Sequence, residues 1–147
     1  MAFFSILLAI IYANFLEWFV HKYVLHGIGK RKGSYWSDHY SVHHLNYHLH
    51  AGKDPDYTDY KLTSEIIGLA GMSVLHIPVC LLSPAAYVTL VIYAIFYYFV
   101  HRYSHVNPTW GKKWIPWHIE HHRGKEMNWC VLFPLADHVM RTRYVSK

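Results

Sequence analysis

Two long stretches of this 147-residue chain have no charge at all: Ala2 to Leu16 and Ile66 to Val100 contain no Asp, Glu, Lys or Arg. With 53% apolar and 18% aromatic residues overall, that excludes an ordinary soluble domain of this length. Cysteine is scarce too. Cys80 and Cys130 are the only two and form no CxxC pair, which excludes a disulfide scaffold and a thiolate or iron–sulfur site. There is no HExxH helix, since His118 to His122 reads HIEHH, and no GxSxG elbow, phosphate-cradling loop or dinucleotide fingerprint. No Lys or Arg precedes the first apolar run and no small-residue cleavage site follows it, so it reads as a retained span and not a signal peptide. The net charge of +5 comes without a basic stripe interleaved with base-reading polar residues, so no nucleic-acid partner is expected.

What is present is grease and histidine. The first run continues past Glu17 to Val20, enough to cross a hydrocarbon core of roughly 30 Å. The second is too long for one span, and Pro78, Ser83 and Pro84 break it into a hairpin of Ile66 to about Leu82 and Ala85 to about Val100. Thr63 or Ser64 is expected to cap the first of these helices, with Glu65 favourable in its first turn. With the N-terminus outside, all 14 Lys and Arg residues, from Lys22 to Lys147, lie on one face, which the positive-inside rule makes cytoplasmic. Gly27 to Gly33 reads as a basic turn and Ala51 to Asp59 as an irregular loop. The expectation is one all-α membrane domain over residues 1–147, with three spans and a cytosolic helical cap.

Ten of the 14 histidines fall into four groups: His21 and His26; His39, His43 and His44; His101 and His105; His118, His121 and His122. At about 100° per helical residue, His101 and His105 share a face, His118, His121 and His122 span about 100° of one, and His39 and His43 lie close together, while the offset of His26 is less favourable. Two groups directly follow apolar runs, so the spans deliver imidazoles to the water boundary, and the hairpin topology puts all four groups on one side. Imidazole suits zinc, copper, iron and nickel. Ten ligands exceed what one tetrahedral zinc takes, so two metals sharing the set is the economical reading. Trp110, Trp114 and Trp117, with Lys112 and Lys113 among them, read as an interfacial anchor, and Tyr93, Tyr97, Tyr98 and Tyr103 as an aromatic belt.

The motifs HKYVLH at His21 to His26, HYSVHH at His39 to His44, HRYSH at His101 to His105 and HIEHH at His118 to His122 resemble, in order and spacing, those of the fatty acid hydroxylase family of membrane di-iron enzymes. That superfamily includes sterol desaturases and is related to carotenoid hydroxylases. The resemblance runs from Glu17 through NWCVLFPLADHVMRTRY at Asn128 to Tyr144, with one departure: Arg141 stands where family members commonly carry a glycine before the threonine aligned with Thr142. The departure bears on a local turn, not on the histidines.

The resemblance implies two iron ions, with zinc as a substitute occupant, and dioxygen as co-substrate. It implies a lipid substrate and electrons from an external donor of the cytochrome or ferredoxin type. The reaction would be hydroxylation or desaturation of a lipid C–H bond, with no catalytic side chain beyond the ten histidine ligands. Glu17, one helical turn before His21, is a candidate to accept that ring's second N–H, and Asn128 and Asp137 are further candidates for supporting the ligands. Two alternatives stay open: a non-catalytic membrane metal-binding protein, and, among enzymes, a sterol or carotenoid hydroxylase.

Overall fold

The computed structural model describes residues 2–58, 64–124 and 126–145. Thr63, Asp59 and Lys147, named above for a cap, a loop end and a basic terminus, lie outside the described residues. Every element among the described residues is helical. Helix α1 (Ala2–Phe19) passes without a break into a π-helical segment, π1 (Val20–Ile28). A second π-helical segment, π2 (Asp38–His43), runs into α2 (His44–Leu49), and the single turn α3 (Pro55–Thr58) follows. Then come α4 (Ser64–Leu75), α5 (Ile77–Leu82), α6 (Pro84–Val106), α7 (Pro108–Trp114), α8 (Pro116–His122) and α9 (Leu135–Val139).

Three helical stretches are long and apolar enough to cross a membrane: Ala2–Ile28, Ser64–Leu82 and Pro84–Val106. At about 1.5 Å per residue each reaches at least roughly 28 Å. The expected hairpin is present, but Pro78 is not part of the reversal. It sits in the first turn of α5, where its missing N–H costs nothing, and the chain reverses at Ser83 alone, in an extended conformation (φ −157°, ψ 100°). The Ser83 hydroxyl accepts from the Ala86 N–H at 3.3 Å, and Pro84 opens α6. The third span runs past Val100 to Val106, carrying His101 and His105 in its last turns. The first likewise carries His21 and His26, so the basic turn starts only after Ile28. Gly29 ends π1 by donating to the Val24 carbonyl at 2.8 Å, and a Cβ there would lie 1.9 Å from the Leu25 carbonyl oxygen.

Below the spans, the segment 126–134 forms an extended strap across the histidines, fixed by buried polar groups of α1 and α9. Asn14, fully buried in a membrane-length helix, donates to the Phe133 carbonyl at 2.8 Å and accepts from the Ala136 N–H at 2.9 Å. Asp137, also fully buried, accepts from the N–H groups of Trp129 and Cys130, both at 2.9 Å. Trp18, Trp129, Cys130 and Ala136 pack as one apolar cluster, and Tyr97, Ile115 and Val131 as another. Trp110 and Trp117 pack against the second cluster and Tyr97 is its buried member, so only Trp114 of the three tryptophans projects as an exposed anchor.

Helix α9 is capped at Arg141, the position noted above as a departure from the resemblance. Thr142 N–H donates to the Asp137 carbonyl at 2.8 Å and Arg141 N–H to the His138 carbonyl at 3.3 Å, the paired bonds of a Schellman cap. Arg141 occupies the left-handed position of that cap, at φ 57°, with its side chain exposed. Glycine holds this conformation without the Cβ clash, which costs about 1 kcal/mol. Arg141→Gly is therefore expected to stabilise the protein by about 1 kcal/mol, read as a raised unfolding midpoint of the detergent-solubilised protein with unchanged metal content; a lowered midpoint would show that the arginine side chain itself holds the turn.

Candidate metal centre

All ten singled-out histidines meet beneath the spans. Ligand-capable atoms of His21, His26, His39, His44 and His121 lie within 4.8 Å of one another, and so do those of His43, His101, His105 and His122. His118 joins the second group: its Nε2 lies 3.0 Å from that of His105 and 3.2 Å from that of His122. The groups are neighbours, with the rings of His44 and His122 only 4.3 Å apart between centroids. His48, His50 and His138 are exposed and belong to neither group.

Helix type sorts the ligands. In the second group the pairs His101/His105 and His118/His122 are spaced by four and sit on α-helices α6 and α8. In the first group the pairs His21/His26 and His39/His44 are spaced by five. On an α-helix five residues turn about 140° too far to converge. His21 and His26 lie within π1, and His39 lies in π2 with His44 at its C-cap, its N–H bonded to the His39 carbonyl; roughly 4.4 residues per turn bring i and i+5 onto one face. The Nε2 atoms of His21 and His39 accordingly lie 3.0 Å apart, and those of His26 and His121 3.1 Å apart. Each ring is aimed by the local winding of its own helix.

In five of the rings the other nitrogen is held from outside. His21 Nδ1–H donates to the Trp129 carbonyl at 2.5 Å, His121 Nδ1–H to the Met127 carbonyl at 2.8 Å and His105 Nδ1–H to the Gly52 carbonyl at 3.3 Å. His43 Nδ1–H donates to Asp54 at 2.5 Å and His101 Nδ1–H to Glu65 at 2.6 Å. Since a carbonyl or carboxylate can only accept, these bonds fix the tautomer and leave Nε2 as a bare lone pair pointing inward.

The donor set fits metal ions. Several inward lone pairs face one another at 3.0–3.2 Å, close to the spacing of two ligands each bound at about 2.1 Å. The buried Nε2 atoms of His43, His44 and His101 have no partner in the protein. Nitrogen lone pairs crowded together without hydrogens are stable only around cations. Cys130, the nearest thiol, is turned away toward Asn14 at 3.8 Å and its ionisation is pushed well up by burial, so both groups are all-imidazole.

Asp54 and Glu65 were not anticipated as supports. Asp54 is buried and also accepts from the Asn46 amide and the Asp56 N–H; Glu65, read as a helix N-terminal charge, takes the Tyr57 hydroxyl as well as His101. A carboxylate opening an otherwise charge-free span, and another in the loop eleven residues after His43, were the available signals. Glu17 does not receive His21. Its carboxylate accepts from the N–H groups of Val131 and Leu132 and the Tyr93 hydroxyl, while His21 uses the Trp129 carbonyl. Asn128, at φ 59°, accepts from Tyr144 N–H at 2.7 Å and from the Arg143 guanidinium. Glu17, Asn128 and Asp137 thus hold the strap, and the strap holds His21 and His121.

A family model described as fatty acid hydroxylase matches residues 6–142 of the chain. No curated protein and no solved structure matches it.

Burial holds the rings neutral: His121 is pushed down to about 4, and His39, His43, His44, His118 and His122 well below the usual histidine value, chiefly by desolvation. The unfolded chain takes up protons near pH 6.5 that the metal-free fold refuses. The unfolding midpoint of metal-stripped protein is therefore expected to fall as pH drops from about 6.5 toward 4 and to be flat above about 7; a midpoint unchanged across that range would mean the rings titrate freely. Asp54→Asn, which removes the charge behind His43, is expected to weaken metal retention against a chelator by about tenfold or more, with no change in helix content.

Proposed function

This chain belongs to the fatty acid hydroxylase family, and from that premise we propose that it is a membrane di-iron oxygenase that hydroxylates a lipid C–H bond on the cytoplasmic face of the bilayer. The observation that carries the reading is that the histidine centre borders a greasy cavity, which His21 of the first group and Glu65, the partner of His101, both line. A space of about 610 Å³, the size of a small-molecule site, lies between α1, α4 and α6. Leu16, Val20, Leu69, Leu90 and Val91 line its middle, and His21 and Glu65 close its inner end. A metal store has no use for such a cavity; an enzyme acting on an alkyl chain needs one.

The reaction consistent with this site is R–H + O₂ + 2 e⁻ + 2 H⁺ → R–OH + H₂O, with removal of a second hydrogen giving a double bond instead. Two irons held by the first and second histidine groups would supply dioxygen activation. The chain's own residues do the rest. The apolar walls align the alkyl chain and keep water from the reacting carbon. Asp54, Glu65 and the strap carbonyls hold the imidazoles in register, so the ligand set need not reorganise as charge moves through it. A second crevice of about 310 Å³, more polar than the first and lined among others by Asp38, Asp54, Asp56, His39 and His43, reaches ligands of both groups and would give water and protons an approach.

Electrons are assigned to an external cytochrome- or ferredoxin-type donor, for which the Lys and Arg residues of the histidine face offer a complementary surface. The same positive charge supports a cytoplasmic site.

Lipid mass spectrometry of cells expressing wild type beside a His121→Ala, His122→Ala double variant tests the proposal. An oxidised lipid present with the wild type and absent with the variant is expected, together with about two metal ions per wild-type chain. Iron-loaded protein that consumes no dioxygen after reduction would favour the metal-store reading.

A further inference from the structure

The strap does not stay beneath the spans. It starts at the histidines, where the Trp129 carbonyl meets His21, and climbs alongside α1 and α6. Val131 N–H donates to Glu17, and the Val131 side chain packs with Tyr97. Two residues on, the Phe133 carbonyl accepts from Asn14 at 2.8 Å and the Phe133 ring lies 6.2 Å from that of Tyr93. Ala136 N–H donates back to Asn14, and α9 then descends to Thr142. There the Thr142 carbonyl accepts from Asn128 N–H and its hydroxyl from the Trp18 indole, both at 2.9 Å. Residues 128–142 thus form a loop that rises and returns.

The tip of the loop stands high on both helices. Asn14 lies eight residues before Lys22, the first basic residue after the first apolar run, and Tyr93 nine before Arg102, the first on α6. That is about 12–14 Å along each helix. Basic residues at the ends of apolar runs mark where the hydrocarbon stops, so residues 133–136 sit inside the leaflet on the histidine side.

Composition agrees with depth. Residues 127–140 hold one charged side chain, Asp137, and it is fully buried against the strap's own N–H groups. These fourteen residues are too few to cross a bilayer and match the length of a re-entrant segment. Leu135, Val139 and Met140 are exposed, His138 is the one exposed polar side chain of the stretch, and Arg141 closes it. Irregular backbone survives at such depth only where protein groups complete its hydrogen bonds. Asn14 and Glu17 do so here, pairing the N–H groups of Val131, Leu132 and Ala136 and the Phe133 carbonyl.

We infer that residues 128–142 form a re-entrant loop in the histidine-side leaflet, whose exposed Leu135, Val139 and Met140 are an interaction surface for lipid acyl chains. It is a membrane-embedded element beside the three spans. The same loop presents the Trp129 carbonyl to His21, so the lipid bears on the element that aims a ligand. The inference needs the spans and is independent of the oxygenase reading.

The test places a nitroxide label at Leu135→Cys or Val139→Cys, with Cys80→Ser to remove the other accessible thiol and Cys130 left fully buried. The protein is zinc-loaded, to keep paramagnetic ions from the label, and reconstituted in phosphatidylcholine vesicles. Relaxation by dioxygen, which concentrates in hydrocarbon, is compared with relaxation by a neutral nickel chelate, which stays in water. The ratio of the two at both sites is expected to lie several-fold above that of Lys32→Cys in the basic turn and level with that of Phe96→Cys on the exposed side of α6. Nickel-dominated relaxation at either site would put the face in water and overturn the inference. Protection from both reagents would mean that protein covers it, and would overturn the inference too. Unlabelled wild type supplies a second measurement, in vesicles whose phosphatidylcholine carries a diazirine midway along one acyl chain. After irradiation, lipid adducts are expected on residues 135–140 as well as on α6; adducts confined to the three spans would overturn the inference.

Discussion

Everything in this molecule answers to one awkward constraint: ten imidazoles, most of them fully buried, must point their lone pairs at one another. Left alone, such rings would rotate to hydrogen-bond each other or reach for water. Five of them are prevented by acceptors placed behind them, three backbone carbonyls and two carboxylates. The fold can be read as the apparatus that puts those five acceptors in position.

That apparatus has two tiers. Asp54 and Glu65 act directly on His43 and His101. Glu17, Asn14 and Asp137 act one step removed, gripping the peptide groups of the strap, which then presents the Trp129 and Met127 carbonyls to His21 and His121. It explains why a membrane helix tolerates a fully buried asparagine and a buried glutamate on one face: both are paired with backbone groups of the strap and α9 and with the Tyr93 hydroxyl.

The spans and the four histidine groups were legible in the sequence because each depends on local information, the run of apolar residues and the spacing of like side chains. The hairpin was legible because charge and histidine placement impose the same topology. The winding of the ligand helices was not. A rule of 100° per residue has no place for His21/His26 and His39/His44, which converge only because the chain is wound as a π-helix there. Nor were the acceptors, since the pairings of Asp54 with His43, Glu65 with His101 and Trp129 with His21 are made by tertiary packing across 11 to 108 residues. Glu17 stands out in the sequence for its position beside His21, and its real partners, 76 to 115 residues onward, have no local signature.

The reversal at Ser83 has a consequence for traffic. One residue turns the chain between two spans, so the ends of α5 and α6 meet with almost no loop on the side away from the histidines. For the proposed oxygenase, reductant, water and protons would then arrive at the cap and the oily substrate sideways from the membrane interior. The hairpin is a stopper, and it sets the depth to which anything lodged between these two helices can sink.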